Sequence, residues 1–66
     1  MMKETIKDYY GRILGYIEED GQRLVAKDYY GKILGYYYKN ENKTKDFYGK
    51  ILYYGNALSA LIVNNS

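Results

Sequence analysis

The sequence predicts an all-β fold, an antiparallel meander of about six short strands built from three hairpin repeats and closed by a short C-terminal helix. Two observations carry that reading. Lys7-Asp8-Tyr9-Tyr10-Gly11-Arg12-Ile13-Leu14-Gly15-Tyr16 returns almost unchanged at Lys27–Tyr36 and again, as Lys45-Asp46-Phe47-Tyr48-Gly49-Lys50-Ile51-Leu52-Tyr53-Tyr54, at spacings of 20 and 18 residues. Such spacings suit small structural repeats that bury a hydrophobic face only by pairing with their neighbours. The centre of each copy is also a turn signature, flanked by β-branched and aromatic residues.

The hairpins are expected over about 3–18, 22–38 and 43–54, within one domain spanning 1–66. In each, Asp (Asp8, Asp28, Asp46) supplies a short acceptor for a backbone N–H two residues on. The fourth residue, Gly11, Gly31 or Gly49, supplies the positive φ of a type I turn closed by a G1 bulge. Asp8 then opposes Arg12, Ile6 opposes Leu14, Thr5 opposes Gly15, Ala26 opposes Leu34 and Leu24 opposes Tyr36. Alternation places Ile6, Leu14, Tyr16, Leu24, Ala26 and Leu34, with Tyr36, Leu52 and Tyr54, on one face. Ile13, Ile17, Val25, Ile33, Tyr37, Ile51 and Tyr53 fall on the other, so both faces read as apolar and the second needs a cover. Glu19-Asp20-Gly21 and Lys39-Asn40-Glu41-Asn42-Lys43 are polar connectors between hairpins.

After Tyr54 the repeat stops. Asn56 is a reasonable N-cap, and Leu58, Leu61 and Ile62 share a helical face, which predicts a helix of about two turns over 56–63 packed on the sheet. A seventh strand is the alternative, because the same segment also alternates and ends in Ile62-Val63.

At 66 residues and 7.8 kDa, with no Cys, His, Pro or Trp but 11 Tyr, the chain has little material for a core. Folding buries ~7,000 Å², of which ~4,000 Å² is apolar; that contributes ~100 kcal/mol against an ordering cost of about the same size. Disulfides and thiolate or imidazole metal sites are impossible, so reinforcement must come from efficient packing or self-association. The formal charge of +2 is too small to imply a polyanion partner. With no apolar run near 20 residues and no charged-then-apolar leader, neither a membrane span nor a signal peptide is expected, and the default compartment is the cytoplasm.

No cofactor, metal or catalytic site is expected. The three Asp residues occupy one position of one turn, where backbone geometry requires an acceptor. Neither His nor Cys is available, and no Ser or Thr recurs beside an Asp at nucleophile spacing. A carboxylate pair for glycoside hydrolysis needs a cleft that so short a meander can hardly enclose. Gly15 and Gly35 lack the strand-loop-helix setting of a phosphate cradle and instead mark a bulge or a close contact.

The aromatic turns are the functional lead. Tyr9, Tyr10, Tyr29, Tyr30, Phe47 and Tyr48 occupy central turn positions that would ordinarily hold small or polar groups, beside Arg12, Lys32 and Lys50. On one reading the rings fold back over the neighbouring hairpin and complete the core. On the others they form the hot spot of a protein interface, self-association included, or stack on single-stranded nucleic acid or the sugars of a cell-wall glycan.

In organisation, tandem aromatic hairpins of this length are similar to the Trp-rich choline-binding repeats of bacterial surface proteins. The tandem Asp-Phe/Tyr-Tyr-Gly-Arg/Lys-Ile-Leu-Gly-Tyr units, followed by Gly55-Asn56-Ala57 and a small apolar tail, resemble over most of the chain a group of short uncharacterised bacterial proteins. Some of that group carry a label such as isopropylmalate dehydrogenase, an activity needing a cofactor domain several times this length. The resemblance implies a hairpin-repeat fold, and neither an activity nor a site residue.

Overall fold

The computed structural model describes residues 3–64. Six strands form one open antiparallel sheet in the order β1-β2-β3-β4-β5-β6, each paired with its neighbour in sequence. They are β1 (Lys3–Lys7), β2 (Ile13–Asp20), β3 (Arg23–Asp28), β4 (Ile33–Tyr38), β5 (Lys43–Asp46) and β6 (Ile51–Tyr54), followed by the helix α1 (Leu58–Asn64). The predicted meander and terminal helix are therefore both present. The helix prevails over a seventh strand because Asn56 Oδ1 accepts the Leu58 N–H at 3.2 Å and Leu58 and Ile62, one turn apart, both point into the sheet.

The turns follow the expected chemistry. The Asp8, Asp28 and Asp46 carbonyls accept the N–H of Gly11, Gly31 and Gly49, each at 3.0 Å, and the same Asp N–H groups donate to the carbonyls of Arg12, Lys32 and Lys50. The glycines lie at φ of +83°, +88° and +89°, as the bulged turn requires.

Beyond the turn the expected register fails. Lys7 pairs with Ile13, but Ile6 pairs with Gly15 and Thr5 with Tyr16. The next hairpin repeats this, with Lys27 opposite Ile33, Ala26 opposite Gly35 and Leu24 opposite Tyr37. Each hairpin thus contains a second bulge, with Leu14, Leu34 and Leu52 as the extra residues, and a bulge of one residue exchanges the faces of everything beyond it.

The corrected faces are chemically distinct. Ile17, Ala26, Leu58 and Ile62 form the buried core, with Ile6, Leu14, Leu24, Leu34, Tyr37 and Leu61 packed around it. Tyr16, Tyr36 and Tyr54 lie on the opposite, open face, where Ile13, Val25, Ile33 and Ile51 alternate with lysines rather than forming an apolar surface. The helix covers β2, β3 and β4.

Thr44 secures the connection from β6 to the helix. It is fully buried, its hydroxyl donates to the Gly55 carbonyl at 2.6 Å, and the same oxygen accepts the Ala57 N–H at 3.0 Å. No described helix is long and apolar enough to cross a membrane.

Candidate binding surface

Because alternate strand ends carry the repeated turns, all three turn tips project from one end of the sheet. Successive tips are two strands apart, a separation of about 9.5 Å, and the sheet twist fans them by about 45° per hairpin. Each tip is stiffened by its Asp. Oδ1 of Asp8 accepts the N–H groups of Tyr10 and Arg12, both at 2.9 Å; Asp28 serves Tyr30 and Lys32, and Asp46 serves Tyr48 and Lys50, in the same way. The three carboxylates are thereby committed to their own turns.

The first turn adds an ion pair. Arg12 Nε donates to Asp8 Oδ2 at 2.8 Å. The Asp8 carboxyl is held below its ordinary 3.8, first by the Arg12 backbone N–H and then by the Arg12 side chain and Tyr10 N–H, against partial desolvation.

The aromatic residues do not fold back over the core. Tyr9, Tyr10, Tyr30 and Tyr48 are 96%, 79%, 89% and 90% exposed, while Tyr29 and Phe47 are 58% and 54% exposed. Within each tip the two rings meet edge to face, with centroids 5.4–5.5 Å apart. The graded exposure has a simple cause. Tyr29 walls a groove whose floor is Gly11, Arg12 and Ile13, and Phe47 walls the equivalent groove over Gly31, Lys32 and Ile33. Tyr9, in the first hairpin, has no preceding tip to lean on.

Of the nine residues expected to form a binding surface, Arg12 and Tyr29 meet in the first groove, and Lys32, Phe47 and Tyr48 in the second. Tyr9, Tyr10 and Tyr30 stand clear of both. Lys50 occupies the matching position in the last tip, whose second strand, β6, leads into α1.

The open face carries a second cluster that the sequence alone did not disclose. Lys3 Nζ sits 4.5 Å from the Tyr16 ring centre, the Arg23 guanidinium 4.5 Å from Tyr36, Lys45 Nζ 4.8 Å from Tyr38 and Lys43 Nζ 6.0 Å from Tyr54. Acidic side chains tie down two of these cations and the neighbouring Lys27. Arg23 pairs with Asp20, Lys27 with Glu18 and Lys45 with Glu41. The hydrogen bond to Asp20 is the leading cause of a raised Arg23 pKa. The second bulge turns Tyr16, Tyr36 and Tyr54 to the face that carries Lys3, Arg23, Lys43 and Lys45, so the cluster is legible only once that bulge is placed.

Comparison with protein-family models, curated proteins and solved structures finds no match for the chain.

Proposed function

We propose that the chain is a non-catalytic interaction module that associates, first of all with copies of itself, through its comb of aromatic turn tips. The observation that carries this reading is the exposure of all six tip rings, between 54% and 96%, on turns rigidified by Asp8, Asp28 and Asp46. Rings held in fixed positions lose little entropy on docking, and exposed aromatic clusters on small proteins mark interaction surfaces. Sedimentation velocity over a dilution series tests it. The wild type is expected to show a concentration-dependent mass, and the triple variant Tyr9→Ser/Tyr29→Ser/Phe47→Ser to lose that dependence while keeping its thermal melt. A wild type that stays monomeric at high concentration, or a triple variant with undiminished association, defeats the proposal.

A second reading is favoured by the two repeat-equivalent grooves. Each combines a cation, an isoleucine floor and an aromatic wall at a spacing of about 9.5 Å, which suits an extended polymer with a recurring ring, such as single-stranded nucleic acid or a cell-wall glycan. Titration with an oligonucleotide or a soluble polysaccharide should then shift the NMR signals of Tyr29, Phe47, Arg12 and Lys32 selectively. An unresponsive spectrum across both ligands removes this reading.

A further inference from the structure

We infer that Tyr53 is the residue that ends the sheet, closing the free edge of β6 to a second copy of the chain. The three hairpins are equivalent position by position, so Gly15, Gly35 and Tyr53 occupy the same site in β2, β4 and β6. Their neighbours differ. β2 is flanked on its far side by β3 and β4 by β5, whereas β6 lies at the edge.

The two glycines are needed where another strand pairs. A Cβ at Gly15 would lie 2.3 Å from the backbone oxygen of Lys27 in β3 and 2.8 Å from Ile62 Cγ2 of α1, and a Cβ at Gly35 would lie 2.6 Å from the backbone oxygen of Lys45 in β5 and 2.7 Å from Leu61 Cδ2 of α1. Backbone atoms of a paired strand cannot retreat as a side-chain end can, so the pairing excludes every residue but glycine. The bulge at Leu14 and Leu34 immediately precedes each glycine, at the point where the backbones approach so closely. The third copy carries the same bulge, at Leu52, and then places a tyrosine where the glycine would be.

A second copy is the natural occupant of the free edge, because β1 is the repeat equivalent of β3 and β5. In the internal register, Tyr16 opposes Lys27 and Tyr36 opposes Lys45. A β1 strand docked on β6 in that register would set Tyr54 against Lys7 of the added copy and continue the open face. It would also put its Lys7 carbonyl against the Cβ of Tyr53. β6 carries no charged side chain, which is the composition that otherwise invites edge pairing. At four residues against eight in β2, β6 is also short, and Gly55 turns the chain away at φ +109°. The third repeat therefore departs from the first two where an added strand would have to be refused.

The experiment compares Tyr53→Gly with Tyr53→Ala, in the wild type and in the Tyr9→Ser/Tyr29→Ser/Phe47→Ser background, where association through the tips is removed. Tyr53→Gly should raise the weight-average mass in sedimentation about twofold or more at equal concentration, since each added copy offers a new open edge. Tyr53→Ala keeps the Cβ and should stay at the mass of its parent. Wild-type chain added in excess should shorten the Tyr53→Gly assemblies, because it supplies a β1 edge and then blocks growth with its own Tyr53; aggregates of unfolded chain would not respond in that way. Equal masses for the Gly and Ala variants, or no shortening by wild type, overturn the inference. Should Tyr53→Gly fail to fold, Gly35→Ala tests the premise by itself. Its Cβ should separate β4 from β5 and abolish amide-exchange protection in β5 and β6, and retained protection there refutes the steric argument.

Discussion

Thr44→Val replaces a hydroxyl by a methyl of nearly the same shape at a fully buried position. The hydroxyl donates to the Gly55 carbonyl at 2.6 Å and accepts the Ala57 N–H at 3.0 Å, joining β5 to the segment that launches α1. Valine leaves both backbone groups, on the half-buried Gly55 and Ala57, without that partner. Each orphaned group costs about 1–2 kcal/mol, and the added buried methyl returns about 0.8 kcal/mol, for a net loss of about 1–3 kcal/mol. In a chain of this size the core supplies only about 3–5 kcal/mol, so the variant sits close to its unfolding midpoint at room temperature. The corresponding fall in Tm is about 4–24 °C. Thr44→Ser keeps both hydrogen bonds and sacrifices only a methyl, at about 1 kcal/mol. Urea unfolding followed by far-UV circular dichroism should rank wild type above Ser and Ser above Val. A valine variant as stable as the serine variant would refute the reasoning, because packing rather than hydrogen bonding would then hold the helix connection.

Two further outcomes follow from the core and the charges. Leu58→Ala and Ile62→Ala each empty a site that is at most 1% exposed and should each cost about 2–5 kcal/mol, leaving the chain largely unfolded at 25 °C, whereas Val63→Ala, half exposed, should change the urea midpoint little. Asp8 is held below 3.8 by the Arg12 N–H and side chain, and Glu19 below 4.5 by its hydrogen bond and ion pair with Lys39. Both are depressed acids, so their contribution is complete above the ordinary carboxylate value and disappears as the pH falls below it through the lowered one. Asp8→Asn retains an acceptor for the turn but has no charge to titrate. Its urea midpoint should decline less steeply over that range than the wild type's, and an unchanged slope would contradict the assignment.

The turns were legible because their chemistry is local. Asp8 and Gly11 meet within four residues, and the requirement for an acceptor and a positive φ can be read from residue type alone. The helix was legible from Asn56 and the Leu58/Ile62 spacing, with a strand as the alternative that alternation allowed. The second bulge was not legible. Ile13-Leu14-Gly15 reads as ordinary alternation, and only Gly15 hints at the irregularity. Misplacing that residue exchanged Tyr16 with Ile17 and Tyr36 with Tyr37 between the faces, which hid the cation-Tyr ladder and made the open face look apolar. The tip residues were all identified, but their exposure was not, since it depends on whether a neighbouring hairpin lies within reach.

By itself, then, the sequence determined the number of strands, their order, the turn at each repeat and the aromatic residues at each tip, because those depend on contacts between residues close along the chain. The tertiary structure decided which side chains share a face, how the rings pair with Lys3, Arg23, Lys43 and Lys45, and why two repeats carry glycine where the third carries Tyr53. These depend on the approach of one strand to the next. A difference of one bulged residue there exchanges two faces, and a single Cβ decides whether another strand can pair.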